Sequence, residues 1–323
     1  MIDIPSASSG YVAAQVRFGA APIGNLFHEV TDAQVQSTLA TSLAVGFTAI
    51  DTAPYYGNGL SESRIGEFLR ASGADLTIST KVGRRLIPCP PDAMPATGFV
   101  GTPHFAPTFD LTRDGIFIAF EDSLARLGVD RVETLLLHDV GRMTHGDAHI
   151  DMLPGILDEA LPAMRELRDS GRVGRIGLGV NEVAVVDELL PSGLIDVVLL
   201  AGRYTLLDRS ASVLLDRCAA RGTAVLAAGV FNSGLLAGGT KFNYAPASPS
   251  VIAGRDSLAA ICARYDVSLA AAALQFPLRH AAVEQVVVGM RTVAEVEDAA
   301  RFVVTPIPAA LWEELDRASS PPC

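Results

Sequence analysis

Short runs of β-branched and apolar residues recur along the chain, each followed by a longer stretch with helical spacing and set off by glycine or proline. Eight such runs stand out, at residues 15–20, 47–51, 76–81, 134–138, 174–180, 196–200, 224–228 and 285–289. Leu135-Leu136-Leu137 and Val286-Val287-Val288 do not alternate with polar residues, which predicts parallel strands covered on both faces. Helices are predicted over 31–45, 61–72, 112–127, 154–170, 182–190, 210–221, 257–264 and 292–302. Thr31 is placed to cap its helix, Leu39 and Leu43 share a face at i and i+4, and Gly46 stops it. This alternation predicts an α/β fold, a single (β/α)8 TIM barrel spanning 1–323 with long loops at its C-terminal face. The competing doubly wound sheet needs a glycine-rich fingerprint after its first strand. The nearest match, Gly177-x-Gly179-x-x-Glu182, lacks the third glycine and follows the fifth strand. The longest stretches without a pattern, 82–110, 139–151 and 231–254, all follow strands, where a barrel builds its active face.

Composition narrows the partners. Of 323 residues, 49% are hydrophobic and 19% charged, which suits a large core and excludes disorder. A net charge of −11 with no Lys/Arg cluster argues against nucleic acid and membrane surfaces as partners. Cys89, Cys218, Cys262 and Cys323 lack CxxC spacing and read as reduced structural thiols. The opening Met1-Ile2-Asp3-Ile4-Pro5 lacks the charge and apolar core of a leader, and no apolar run reaches the roughly 20 residues of a membrane span. Together these predict a cytoplasmic protein.

Four polar residues fall where a barrel places its chemistry. Asp51 ends the second strand, Tyr56 lies in the loop after it, Lys81 ends the third strand and His138 the fourth. A lysine buried at a strand end needs a partner, and Asp51 on the neighbouring strand is the natural one. A phenol titrates near ~10 when unperturbed. A nearby ammonium would lower that value and let Tyr56 exchange a proton with an alcohol or carbonyl, while His138 orients the substrate oxygen. Each residue alone also has a structural reading as turn, loop anchor, snorkelling cation or satisfied histidine. Four complementary groups on consecutive strands favour chemistry, with the hydride supplied by a cofactor.

These residues lie in motifs that resemble the aldo-keto reductase family. Gly46-Phe47-Thr48-Ala49-Ile50-Asp51-Thr52-Ala53-Pro54-Tyr55-Tyr56-Gly57, followed by Ser61-Glu62 and Gly66, is similar to the family's Asp-to-Tyr signature. Thr80-Lys81-Val82 and Leu137-His138-Asp139 match its Lys and His positions, and the resemblance covers nearly the whole chain. It implies a catalytic set of Tyr56, Asp51, Lys81 and His138, with an NAD(P) cofactor across the C-terminal face. It also assigns Tyr204 to stacking on the nicotinamide ring, while the glutamine expected three residues earlier is Ala201. Asn181 resembles an amide-contact residue, with Val180 the alternative occupant and a helix N-cap the structural reading. After strand seven, Gly229, Phe231, Asn232, Ser233, Gly234 and Leu236 resemble the loop that cradles the pyrophosphate. After strand eight, Gly289, Arg291 and Thr292 open a helix whose amides suit an anion.

On that helix Glu295 and Asp298 would repel the extra phosphate of NADP and accept from free ribose hydroxyls, which favours NAD; Arg291 keeps NADP open. Leu200-Ala201-Gly202-Arg203-Tyr204-Thr205, Phe231-Asn232-Ser233-Gly234 with Asn243-Tyr244, and Ala273-Leu274-Gln275-Phe276-Pro277 resemble the family's bacterial L-fucose / D-threo-aldose 1-dehydrogenase branch, with pyridoxal 4-dehydrogenase its neighbour. The implied reaction oxidises a sugar hemiacetal to a lactone; pyridoxal oxidation and general aldehyde or ketone reduction are alternatives. Tyr55, His138 and the loops after strands three and four are substrate candidates. Two rivals differ in class. A metal-dependent barrel hydrolase would use His145-x-Asp147-x-His149-x-Asp151, which otherwise reads as a solvated loop with no metal. A cofactor-binding regulatory subunit would keep the site without turnover.

Overall fold

A computed structural model of the chain describes residues 13–318; Cys323 and the opening five residues lie outside them. Eight parallel strands close a barrel: β1 Val16–Gly19, β2 Ala49–Asp51, β3 Thr77–Val82, β4 Val132–His138, β5 Val173–Val180, β6 Val197–Ala201, β7 Ala224–Ala228 and β8 Val283–Gly289. Each pairs with its chain neighbours, and β1 closes on β8 through Val16 opposite Val286. All eight predicted strands are present, and the open-sheet alternative is excluded. Leu135, Leu136 and Leu137 are fully buried because their side chains alternate between the barrel interior and the helical layer. The interior is filled by Leu136, Val197, Leu199, Ala224, Leu226 and Val287, a packed plug rather than a pore.

The helical layer follows the sequence pattern at most positions. Thr31 accepts from the Gln34 amide at the start of Asp32–Ala44, and Thr112 caps Arg113–Leu127 through the Gly115 amide. The helix predicted from 154 begins at His149 and passes through a π-helical segment, Ile156–Ala160, before Leu161–Asp169. The helix predicted over 257–264 spans Pro249–Ala263. Leu269–Gln275 and Ala309–Arg317 are helices the pattern did not reveal.

The three stretches without pattern are not featureless. Arg84–Pro88 and Phe105–Phe109 form an antiparallel hairpin after β3. Residues 139–151 fold into Arg142–His145, a 3-10 turn and the start of the next helix. A second small hairpin, Lys241–Phe242 with Ala245–Pro246, follows β7. Among the described residues no helix is long and apolar enough to cross a membrane. Cys89, Cys218 and Cys262 are free, and burial pushes the Cys218 and Cys262 thiols up to about 11, as structural cysteines.

Candidate active site

Lys81, the last residue but one of β3, has its side chain inside the barrel, 1% exposed, and its Nζ donates to Asp51 Oδ2 at 2.7 Å and to the Thr52 carbonyl at 2.8 Å. Asp51 Oδ1 accepts from Ser79 at 2.7 Å. Gly179 of β5 stands opposite His138 of β4, and a Cβ there would lie 3.2 Å from Lys81 Cε. That glycine, the nearest approach to a dinucleotide fingerprint in the sequence, makes room for the lysine stem.

The loop after β2 carries Tyr56 against this pair. Gly57 has φ +67, and a Cβ on it would come within 2.3 Å of the Gly24 carbonyl oxygen, so the loops after β1 and β2 touch backbone to backbone. Ser61 bonds Thr52 at 2.9 Å and the Ala20 carbonyl at 3.0 Å, while the fully buried Glu62 accepts from Thr80 at 2.5 Å and Arg126 at 2.7 Å. The Ser-Glu part of the motif thus clamps helix Leu60–Ser72 onto the barrel. The outcome is Lys81 Nζ 4.5 Å from the Tyr56 ring centroid, and the Tyr56 and His138 rings 5.9 Å apart and nearly perpendicular. The four residues expected from the sequence therefore meet at one point on the C-terminal face.

The electrostatics correct one expectation. Burial, reinforced by the Asp51 charge, holds the Tyr56 phenol well above the ordinary range rather than below it. Tyr56 is a protonated acid at neutral pH. Burial, helped by the Arg84 and Lys81 charges, holds His138 well below the usual histidine range, so its imidazole is neutral and donates through a single N–H.

The sequence reading missed several neighbours. Arg84, from the hairpin after β3, is paired with Asp139 at 2.7 Å and lies over the rings of Tyr55 at 4.1 Å and Phe109 at 4.5 Å. Phe99, held by a bridge between 26 and 99, packs edge-on to Tyr55 at 5.6 Å and beside Tyr56 at 6.1 Å. Asn181 donates to Asp139 at 3.0 Å, and the exposed Tyr244 reaches Asn181 at 3.5 Å. Asn181 is not an N-cap, since the next helix starts at Ala184 without a side-chain cap. Lys241 lies 3.7 Å from the Phe27 ring, so the small hairpin after β7 reaches the loop after β1.

The residues expected to hold a dinucleotide fall into two groups. Gly229, Asn232, Ser233 and Gly234 all take positive φ in a tight loop after β7. Asn232 is 2% exposed, and neither its Nδ2 nor its Oδ1 has a partner. An unsatisfied buried amide costs about 1–3 kcal/mol, which fits a loop built around a polar ligand. Arg291 also keeps an unpartnered buried Nε while donating to the Leu26 carbonyl at 3.0 Å.

Other assignments need correction. Tyr204 leaves the barrel and packs on Phe276 at 5.1 Å and edge-on to His280 at 5.7 Å, so it fills the helical layer. Leu236 is buried in that same satellite core, with its amide bonded to Phe231. The amides of Arg291 and Thr292 are already taken by Glu295 Oε2 at 2.5 and 3.1 Å, and Thr292 caps Glu295 in return. That helix start satisfies itself instead of offering those amides to an anion. Asp298 pairs with Arg301 at 2.6 Å.

The His145 to Asp151 run is solvated at Asp147, Ile150 and Asp151, as expected, but it is helical rather than a loop and buries one residue: His149 sits between the Val140 carbonyl and Glu188, while His145 bonds the Asp139 carbonyl. Asp147 pairs with Arg142. Among the described residues no three His, Cys, Asp or Glu side chains are grouped to hold a metal ion.

The strand ends of the barrel thus gather a buried Lys–Asp pair, a tyrosine and a neutral histidine, groups chemically able to exchange a proton with a bound oxygen. Residues 15–320 match the model of the aldo/keto reductase family, and the chain belongs to that family of NAD(P)-dependent enzymes. It is 37% identical to a pyridoxal 4-dehydrogenase of Microbacterium luteolum over 95% of this chain and 94% of that one. It is 36% identical to a D-threo-aldose 1-dehydrogenase of a Pseudomonas species, over 97% and 96%. The fold is similar to that of a glycerol dehydrogenase from Gluconobacter oxydans, with TM-score 0.73 and 20% identity over 98% of this chain and 92% of the other.

Proposed function

We propose that the chain oxidises a cyclic sugar hemiacetal, of the L-fucose or D-threo-aldose type, to a lactone with NAD. The observation that carries this is the convergence of Tyr56, Lys81 and neutral His138 on one point, with the polar Asp139–Asn181 group beside it. The Asn232 loop, with its unpartnered buried amide, would hold a nicotinamide cofactor, which when bound would supply the hydride acceptor for oxidation and the hydride for reduction. His138 donates to the reacting oxygen, and Tyr56 exchanges the proton with it: it accepts the anomeric hydroxyl proton in oxidation and donates one in reduction. Lys81, fixed by Asp51 and the Thr52 carbonyl, lends its charge as the phenolate forms. Phe99 and Tyr55 wall the pocket and keep water from the exchange.

Two relatives named for aldose and pyridoxal oxidation support the substrate class, since an aldose closes to a hemiacetal and so does pyridoxal. Pyridoxal is the second reading. The test is NADH or NADPH absorbance with L-fucose, L-galactose, D-arabinose, pyridoxal and simple alcohols, with and without a chelator. Turnover of a sugar with NAD, indifferent to chelator, supports the proposal. Turnover of pyridoxal alone replaces it with the second reading, and silence with tight dinucleotide binding points to a regulatory subunit.

The NAD preference rests on the negative charge of Glu295, whose Oε1 is left over from the capping box, and on Arg291 being drawn onto Leu26; Asp298, paired with Arg301, does not contribute. Glu295→Gln keeps an oxygen for the capping box but loses the charge. It is expected to shift the NADP-to-NAD ratio of kcat/KM upward by about threefold to tenfold, under ~1.4 kcal/mol. An unchanged ratio means Glu295 does not read the ribose.

A further inference from the structure

We propose that Asp139, held by Arg84, is a specificity residue that accepts a hydrogen bond from a hydroxyl on the carbon next to the reacting carbon. The substrate class is then uncharged 2-hydroxy aldehydes and their cyclic hemiacetals. This rests on the reading that Tyr56 and His138 meet the reacting oxygen.

The proton exchange does not use the Arg84–Asp139 pair, yet the chain buries it, with side chains only 8% and 14% exposed. A buried ion pair is a weak source of stability. Asp139 also takes a left-handed backbone, φ 51, which for a non-glycine residue costs about 1 kcal/mol. What the arrangement achieves is placement: Asp139 Oδ2 lies 3.5 Å from His138 Nε2. An oxygen that accepts from His138 thus has its neighbour on the adjacent carbon within reach of the carboxylate.

The carboxylate has capacity to spare. Oδ1 accepts from Asn181 and Oδ2 from Arg84, out of roughly four acceptor positions. Arg84 is clamped between Tyr55 and Phe109, so it balances Asp139 in place and is not free to swing toward a substrate anion. A carboxylate accepts and does not donate. It therefore selects a hydroxyl at the adjacent carbon and disfavours a carboxylate or phosphate there. In pyridoxal hemiacetal the adjacent carbon belongs to the aromatic ring and bears no hydroxyl, so Asp139 favours the sugar.

The experiment compares reduction of lactaldehyde and propanal by the reduced cofactor, in the parent, in Asp139→Asn, and in Arg84→Gln/Asp139→Asn. The double variant leaves no unpaired buried charge and carries the test where the single one does not fold. The parent is expected to prefer lactaldehyde in kcat/KM by about tenfold to a hundredfold, the range of a hydrogen bond to a charged group. In the variants that ratio, which cancels losses common to both substrates, is expected to fall to within about threefold of unity, mainly through KM. A parent without preference, or a variant that keeps it, overturns the role of Asp139 and leaves the hemiacetal reading standing. A parent that turns over neither these aldehydes nor any hemiacetal overturns both.

Discussion

Tyr56→Phe is expected to lower kcat by about a hundredfold to ten-thousandfold in both directions, the usual contribution of a positioned acid or base. Dinucleotide binding, followed by quenching of NADH fluorescence, and the unfolding midpoint should move little, because the ring contacts with Phe99 and His138 survive. Parental turnover in the variant would remove Tyr56 from the proton path. The pH profile gives a second check. Tyr56 is held protonated by burial and by Asp51, so it starts reduction in its working form and oxidation in the wrong one. Oxidation by the parent should therefore rise from neutral to alkaline pH by about tenfold per unit, while reduction stays nearly level over the same range. A flat oxidation limb would mean that a group other than Tyr56 takes the proton.

The barrel was legible because its strands are buried on both faces and its helices on one, so two periods alternate along the chain. Where the period is lost, so is the prediction. Leu269–Gln275 has five consecutive buried residues and no polar face to reveal a helix. The hairpin of Arg84–Pro88 and Phe105–Phe109 is half-buried at most positions, and its strands lie too far apart in sequence to read as a turn. The site divides along the same line. Asp51, Tyr56, Lys81 and His138 were legible because strand ends fix where each side chain emerges. Arg84 and Asp139 were not, since their pairing joins a hairpin to the end of β4 across 55 positions. Their signal was nonetheless present: a cation three residues after Lys81 and an acid directly after His138. Tyr204 is a different case: the resemblance alone assigned it to the nicotinamide ring, and no pattern in the sequence showed that its ring would pack on Phe276 and His280.

The Asp51–Lys81 pair carries the largest expected effect on stability. Both side chains are essentially inaccessible, and the lysine's neighbours inside the barrel include the Leu136 and Gly179 positions, which offer no charge. Asp51→Asn leaves an ammonium bonded only to neutral oxygens, and losing one partner of such a pair costs about 3–5 kcal/mol. Urea unfolding should show this as a lower midpoint with an unchanged slope. Asp51→Asn/Lys81→Met removes both charges and is expected to recover most of that loss, because an apolar side chain of similar length suits the cavity. Its activity should stay low, since the charge that supports the Tyr56 phenolate is gone. The cycle of single and double variants thus separates two roles of the lysine. Stability that returns without activity assigns Lys81 to the chemistry and Asp51 to holding it there. Additive losses would mean that the two groups, 2.7 Å apart, act independently, and the electrostatic account of the site would fail with them.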